Sequence, residues 1–243
     1  MKKFLFIFIL MAIAFPEFPD GNTILENIDK NLTSDSQIVT STMVIHGRRS
    51  SRTITAKSWT EGSSKSFSEY LAPAREKGTK MLKLDDQLWM YTSQSDRIIK
   101  ISGHMLRQSV MGSDLSYEDM MENPRLAVLY QADVIADTVL LERPCYILSL
   151  KAKSDGVTYA ERKLWVDKER MIALREERFA KSGKLLKVIE VTEIMMVDTR
   201  WYPKRVLFRD NLQKGQGTEF IIDEIAFNAE IPANIFSKAI LRK

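Results

Sequence analysis

From residue 37 onward, apolar side chains recur at every second position in short runs. This period of two predicts strands. The runs fall at 37–46, 52–60, 65–71, 78–84, 87–92 and 97–102, and again at 133–142, 145–152, 159–167, 172–179, 185–197, 201–209 and 218–227. The turns between them are short, which favours antiparallel pairing. Asp85-Asp86 is a two-residue turn signal, and residues 46–52 form a turn with a basic tip. Two stretches depart from the period. At 22–32, Ile24, Leu25, Ile28 and Leu32 share one helical face behind a cap at Asn22. At 104–130, Met105, Met111, Met120 and Met121 are interrupted by turn signals at 112–114 and 123–124. Within that stretch, Ser116-Tyr117-Glu118-Asp119 reads as the start of a short helix. The pattern predicts a mainly β fold, with about eleven or twelve strands in a large curved sheet or open barrel. The Met-rich stretch is the candidate lid.

The first residues have a different character. Met1-Lys2-Lys3 precedes an apolar run at 4–14 that ends in Ala12-Ile13-Ala14, the small-x-small pattern of a signal peptidase site. A transmembrane helix needs about 20 apolar residues, and this run is shorter. It reads as a cleaved secretory leader over 1–21, followed by a single domain over 22–243; an uncleaved anchor is the rival reading. No cysteine lies near the site, so the lipid-attachment signal of a bacterial lipoprotein is missing. The expectation is an exported, periplasmic protein.

Composition narrows the class. Hydrophobic residues are 44% and charged residues 28% of the chain, which suits a folded protein rather than a disordered one. Basic and acidic residues number 36 and 32 and are interspersed, so nucleic acid is not an expected partner. The basic tip at 46–52 is either a solvated loop or a contact for anionic lipid headgroups. Cys145 is the single cysteine, which excludes a disulfide within the chain. It opens an apolar run and reads as a small buried side chain.

Residues that could carry chemistry are sparse. His46 sits in a turn and His104 before the Met-rich stretch, and neither has a partner at metal-ligand spacing. No serine stands in a Gly-x-Ser-x-Gly elbow and no Gly-rich phosphate loop is present. Asp85 and Asp86 are adjacent, so on a strand their side chains would diverge. The expectation is a protein without catalytic residues, metal or cofactor. Soft apolar material is abundant instead: there are 12 methionines, which suit either an ordinary core or a surface that accepts variable apolar shapes.

One block is distinctive. It runs from Tyr70-Leu71-Ala72-Pro73-Ala74-Arg75-Glu76-Lys77-Gly78-Thr79-Lys80-Met81-Leu82 through Leu88-Trp89-Met90-Tyr91 and Arg97-Ile98-Ile99-Lys100-Ile101-Ser102. It closes in Met111-Gly112-Ser113-Asp114-Leu115-Ser116-Tyr117-Glu118-Asp119. Together these resemble the outer membrane lipoprotein-sorting protein family, relatives of the periplasmic carrier LolA and its acceptor LolB. The resemblance implies an incomplete antiparallel barrel of about eleven strands, closed by helices over an apolar cavity for acyl chains. It implies transport of lipoproteins or other lipids toward the outer membrane, an inner-membrane exporter as partner, transient membrane contact and no chemistry. On that implied function, Met43, Phe67, Met81, Trp89, Tyr91 and Trp165 are candidate wall residues. Met105, Met111, Met120 and Met121 are candidate lid residues. Gly112 and Asp114 form either a hinge or a plain turn. Every wall assignment depends on strand parity, because a shift of one residue turns a side chain to the opposite face. Two alternatives stand beside this reading: an exporter adaptor without lipid cargo, and an enzyme acting on lipid or peptidoglycan.

Overall fold

The period of two builds thirteen strands in the computed structural model, which describes residues 18–242. The expected leader therefore lies almost wholly outside the described residues. The first six strands are β1 (Ser36–His46), β2 (Ser51–Glu61), β3 (Lys65–Ala72), β4 (Lys80–Leu84), β5 (Gln87–Thr92) and β6 (Arg97–Ile101). The other seven are β7 (Tyr130–Leu140), β8 (Arg143–Ala152), β9 (Glu161–Asp167), β10 (Ala173–Phe179), β11 (Leu185–Val197), β12 (Arg200–Asp210) and β13 (Thr218–Phe227). The count exceeds the expected eleven or twelve because each predicted run forms a strand of its own.

All thirteen strands join one antiparallel sheet in the order β6-β5-β4-β3-β2-β1-β13-β12-β11-β10-β9-β8-β7. Each strand pairs with its sequence neighbours, except that β13 closes onto β1. That one long-range pairing leaves β6 and β7 as the two edges, and they do not pair with each other. The chain between them must therefore pass from one edge to the other. This crossing segment carries 3-10 turns at Gly103–Arg107 and Val110–Gly112, then α2 (Tyr117–Met121) and α3 (Leu126–Leu129). Among the described residues, no helix is long and apolar enough to cross a membrane.

The helix α1 (Gly21–Leu32) is capped by Asp20, whose carboxylate accepts from the amides of Asn22 and Thr23. The expected cap, Asn22, instead accepts from the Ala132 amide at 3.1 Å and so fixes the helix to β7. A Cβ at Gly21 would lie 2.5 Å from the Ala132 carbonyl oxygen, so only glycine allows this approach. Ile24, Leu25 and Ile28 pack on Leu148, Leu150, Leu164 and Val166 of β8 and β9. Asp29 accepts the first amides of α3, from Leu126 and Ala127, each at 2.9 Å. The apolar face of α1 thus buries against the sheet while its buried acid caps the crossing segment.

The sheet curls around α2. Lys83 of β4 donates to the Met121 carbonyl at 3.0 Å, and Arg178 of β10 donates to Asp119 at 3.0 Å. The two strands are seven steps apart in the sheet. At about 4.8 Å per step, a flat sheet would separate them by roughly 34 Å. Side-chain reach cannot bridge that span to one helix of five residues, so the strands wrap around it.

Candidate functional site

The crossing segment lies on the inner face of the curl. Along β1 to β6 that face carries Met43, Ile54, Ala56, Tyr70, Met81, Leu88 and Ile101. Against it pack Val110 and Tyr117, with Met105, Met111, Met120 and Met121 partly buried beside them. A pocket of about 210 Å³ remains between sheet and segment. Its apolar wall includes Met43, Ile54, Tyr70, Val110, Leu115 and Phe220, and Met120 of α2 closes one side. Ser41, Ser58 and Ser68 contribute hydroxyls.

Charged groups occupy the centre of the same face, which sequence reading did not anticipate. The capping box at the start of α2 matches expectation: Ser116 Oγ accepts from the Asp119 amide, and Asp119 accepts from the Ser116 amide at 2.7 Å. Asp119 also accepts from Arg178, from Tyr159 Oη at 2.6 Å and from Lys187. Arg162 is 2% exposed. Its guanidinium pairs with Glu122 and Glu176 and lies against the rings of Tyr130 and Tyr159, 4.8 and 5.3 Å from their centroids. Arg178 Nε donates to Glu176 at 2.8 Å.

The electrostatics follow from this packing. Burial alone would raise the Asp119 carboxyl, but Arg178 and Lys187 outweigh it and hold the group well below the usual carboxylate range. Glu176 is likewise lowered, with Arg178 and Arg162 overcoming its burial. Burial pushes the Tyr130 phenol up to about 12. The basic groups hold Asp119 and Glu176 ionised, and their ion pairs clamp α2 to the sheet. Next to it lies a second, polar pocket of about 450 Å³ whose wall includes Lys83, Arg162 and Arg178. The two pockets meet at Asp119 and Met120.

The residues singled out from the sequence divide between the two faces. Met43, Met81, Met105, Met111, Met120 and Met121 converge on the inner cluster, and Met43 and Met120 line the apolar pocket. Phe67, Trp89 and Tyr91 point outward and pack with Leu82 under Ile235, Phe236, Ile240 and Leu241 of the C-terminal segment. Trp165 also faces outward, because its neighbours Leu164 and Val166 face α1; Lys163 and Arg175 flank its ring at 4.9 and 5.4 Å. The wall positions that parity concealed are Ile54, Ala56 and Tyr70. Gly112 lies in the left-handed region at φ +73°, as does Met111 at +52°. Asp114 accepts from Thr218 Oγ1 at 2.7 Å and from the Asp210 amide at 3.0 Å. These bonds tie the bend in the crossing segment to β12 and β13.

His46 has more partners than its turn position suggested. It sits between Ser51 Oγ at 3.0 Å and Glu219 at 2.8 Å, an order reminiscent of a hydrolytic triad. Glu219 also accepts from Arg205 at 2.7 Å, and neither pocket above is lined by Ser51 or His46. The arrangement fastens the β1–β2 hairpin to β13. Among the described residues, no group of three or more His, Cys, Asp or Glu is placed to hold a metal ion.

Residues 62–243 match a family model described as an uncharacterized protein. No curated protein matches the chain. Among solved structures, a DUF1329 family protein from Desulfovibrio piger superposes with a TM-score of 0.83 at 22% identity, covering 91% of this chain and 97% of that one. A domain named for outer membrane lipoprotein sorting, from Vibrio parahaemolyticus, gives 0.78 at 20% identity, over 92% and 98% of the two chains. A LolA superfamily protein from Nitrosomonas europaea gives 0.76 at 20% identity, over 92% and 100%. At these identities the likeness speaks for a shared fold.

Proposed function

We propose that this chain, which belongs to the uncharacterized-protein family matched over residues 62–243 and has the LolA-type fold, is a periplasmic carrier that holds acyl chains against the inner face of its sheet. The observation that carries this reading is the apolar pocket between Met43, Ile54 and Tyr70 on the sheet and Val110, Leu115 and Met120 on the crossing segment. An acyl chain loses about 0.8 kcal/mol of unfavourable hydration per buried methylene, so even a short one supplies several kcal/mol before ordering costs. A carrier must also release its cargo. Met120 lines the wall on the segment side and Met43 the wall on the sheet side, and their flexible thioethers tolerate guests of different shape.

The crossing segment acts as the lid. It is attached at its ends to the two sheet edges and held between them by Asp119 and Asp114, so displacing it would break those contacts and leave the strand pairing intact. Delivery toward the outer membrane belongs to the same reading, which the name of the lipoprotein-sorting domain that shares the fold supports; engagement of an inner-membrane exporter is a further part of the proposal. Titration of the purified protein with a fluorescent acyl probe tests the proposal. Saturable uptake that competes with unlabelled fatty acid is the expected result; no uptake at any concentration below probe micellisation contradicts it.

A further inference from the structure

The polar pocket beside α2 carries a buried ammonium that no carboxylate among the described residues pairs with directly, Asp85 acting on it only from farther away. Asp119, Glu122 and Glu176 are engaged by Arg162, Arg178 and Lys187. Lys83 is left over. It is 7% exposed, and its ammonium donates only to two backbone carbonyls, Ser63 and Met121, each at 3.0 Å. An ammonium has three donors, so one is unused. Arg162 is less open: its Nη1 donates to Glu176 and its Nη2 lies against Glu122, while its Nε and Nη2, both buried, have no hydrogen-bond partner. Both residues line the polar pocket. A buried cation held by carbonyls alone and a buried donor left unpaired each cost free energy. An anionic group in this pocket would give the free Lys83 donor a charged partner.

The pocket next door fixes what the anion is attached to. The polar and apolar pockets share Asp119 and Met120 in their walls, so a ligand can place a charged end in one and an alkyl chain in the other. The apolar pocket measures about 210 Å³, roughly seven water volumes, which is room for one chain rather than several. We infer that the cargo is a single-chain amphiphile with an anionic headgroup, a carboxylate or phosphate, seated on Lys83 with its tail against Met43 and Tyr70. This inference rests on the carrier reading and narrows its substrate.

Calorimetric titration of the purified protein with dodecanoate, dodecyl phosphate, dodecanol and inorganic phosphate separates the possibilities. A charge-assisted hydrogen bond predicts that the two anionic amphiphiles bind at least about tenfold tighter than dodecanol. Inorganic phosphate is expected to bind more weakly than dodecyl phosphate by a similar factor or more. In Lys83→Met, the ratio of anionic to neutral affinity should fall toward one. Equal binding of dodecanoate and dodecanol by the unaltered protein overturns the headgroup assignment while leaving the carrier reading intact, and so does an anionic preference that survives in a folded Lys83→Met. Inorganic phosphate binding as tightly as dodecyl phosphate would assign the pocket to a free anion and overturn the amphiphile. Failure of every alkyl ligand to bind would sink the carrier reading and this inference together.

Discussion

Asp119 of α2 and Arg178 of β10 are 59 residues apart in sequence, and their side chains meet at 3.0 Å on the inner face of the sheet. Lys187 joins them from β11, and Tyr159 donates to the same carboxylate. A helix of five residues has little stability of its own. Its position over the sheet is set by this buried acid, which caps the helix and anchors it at once.

Removing the acid should therefore cost more than a surface ion pair would. Asp119→Ala leaves the buried Lys187 ammonium with only the Asp114 carbonyl as acceptor and weakens the setting of Arg178, a change expected to cost about 3–5 kcal/mol. For a chain of this size that is roughly 10 °C of Tm, readable by thermal denaturation. Asp119→Asn keeps a capping oxygen and should fall between the two. A shift below about 0.5 kcal/mol for the alanine variant would show that the pair does not anchor α2.

The same network sets an acid limit. Asp119 and Glu176 have folded pKa values below their unfolded ones. Their contribution is thus complete above the ordinary carboxylate range and lost as pH falls through and below it. Asp29 has the opposite sign, since burial raises its carboxyl despite the amides it accepts. The Asp167 carboxyl is lowered as well, its burial overcome by Arg143, and it adds to the loss at low pH. Urea midpoints should be flat between about pH 6 and 8 and fall below about pH 4, and Asp119→Asn should flatten that fall. Equal acid slopes for the two proteins would remove the network as the cause.

Asp114 discriminates between the hinge and the turn. Its carboxylate accepts from Thr218 and from the Asp210 amide. Asp114→Ala leaves those buried donors without an acceptor, and a loss of about 2–3 kcal/mol is expected in denaturant unfolding. Unchanged stability together with altered probe uptake would instead identify a hinge.

The pocket wall can be filled from within. Ala56 lines the apolar pocket, and Ala56→Leu places a larger side chain there. Probe affinity should drop by roughly tenfold or more, while overpacking costs about 1–3 kcal/mol of stability. Trp165 faces the other way, so Trp165→Ala should leave probe affinity within about twofold. Loss of uptake in Trp165→Ala with uptake intact in Ala56→Leu would reverse the assignment of the two faces.

The strands were legible because alternation and turn signals repeat on both sides of the Met-rich stretch: each run from 37–46 to 218–227 has a counterpart among β1 to β13. The face each side chain takes was not. Phe67 and Tyr70 lie three apart on β3 and so point oppositely, and nothing local says which one faces inward. Trp165 attracts attention as an aromatic, yet the smaller Leu164 and Val166 beside it are the inward pair. The ion network was hidden for a different reason. Arg175, Glu176, Glu177 and Arg178 are four charged residues in a row, so no alternation marks the inward pair, and only the curl of the sheet brings Glu176 and Arg178 towards Asp119. The Met-rich stretch was legible as a departure from period two, and the edge positions of β6 and β7 explain why it must cross the sheet.

Native mass spectrometry of the protein purified from the periplasm, before and after organic extraction, tests the carrier reading most directly. The account predicts an additional mass, lost on extraction, that corresponds to an amphiphile with a single alkyl chain. A bare protein that also fails to take up an acyl probe would contradict it, and an adaptor role at an exporter would then be the better account.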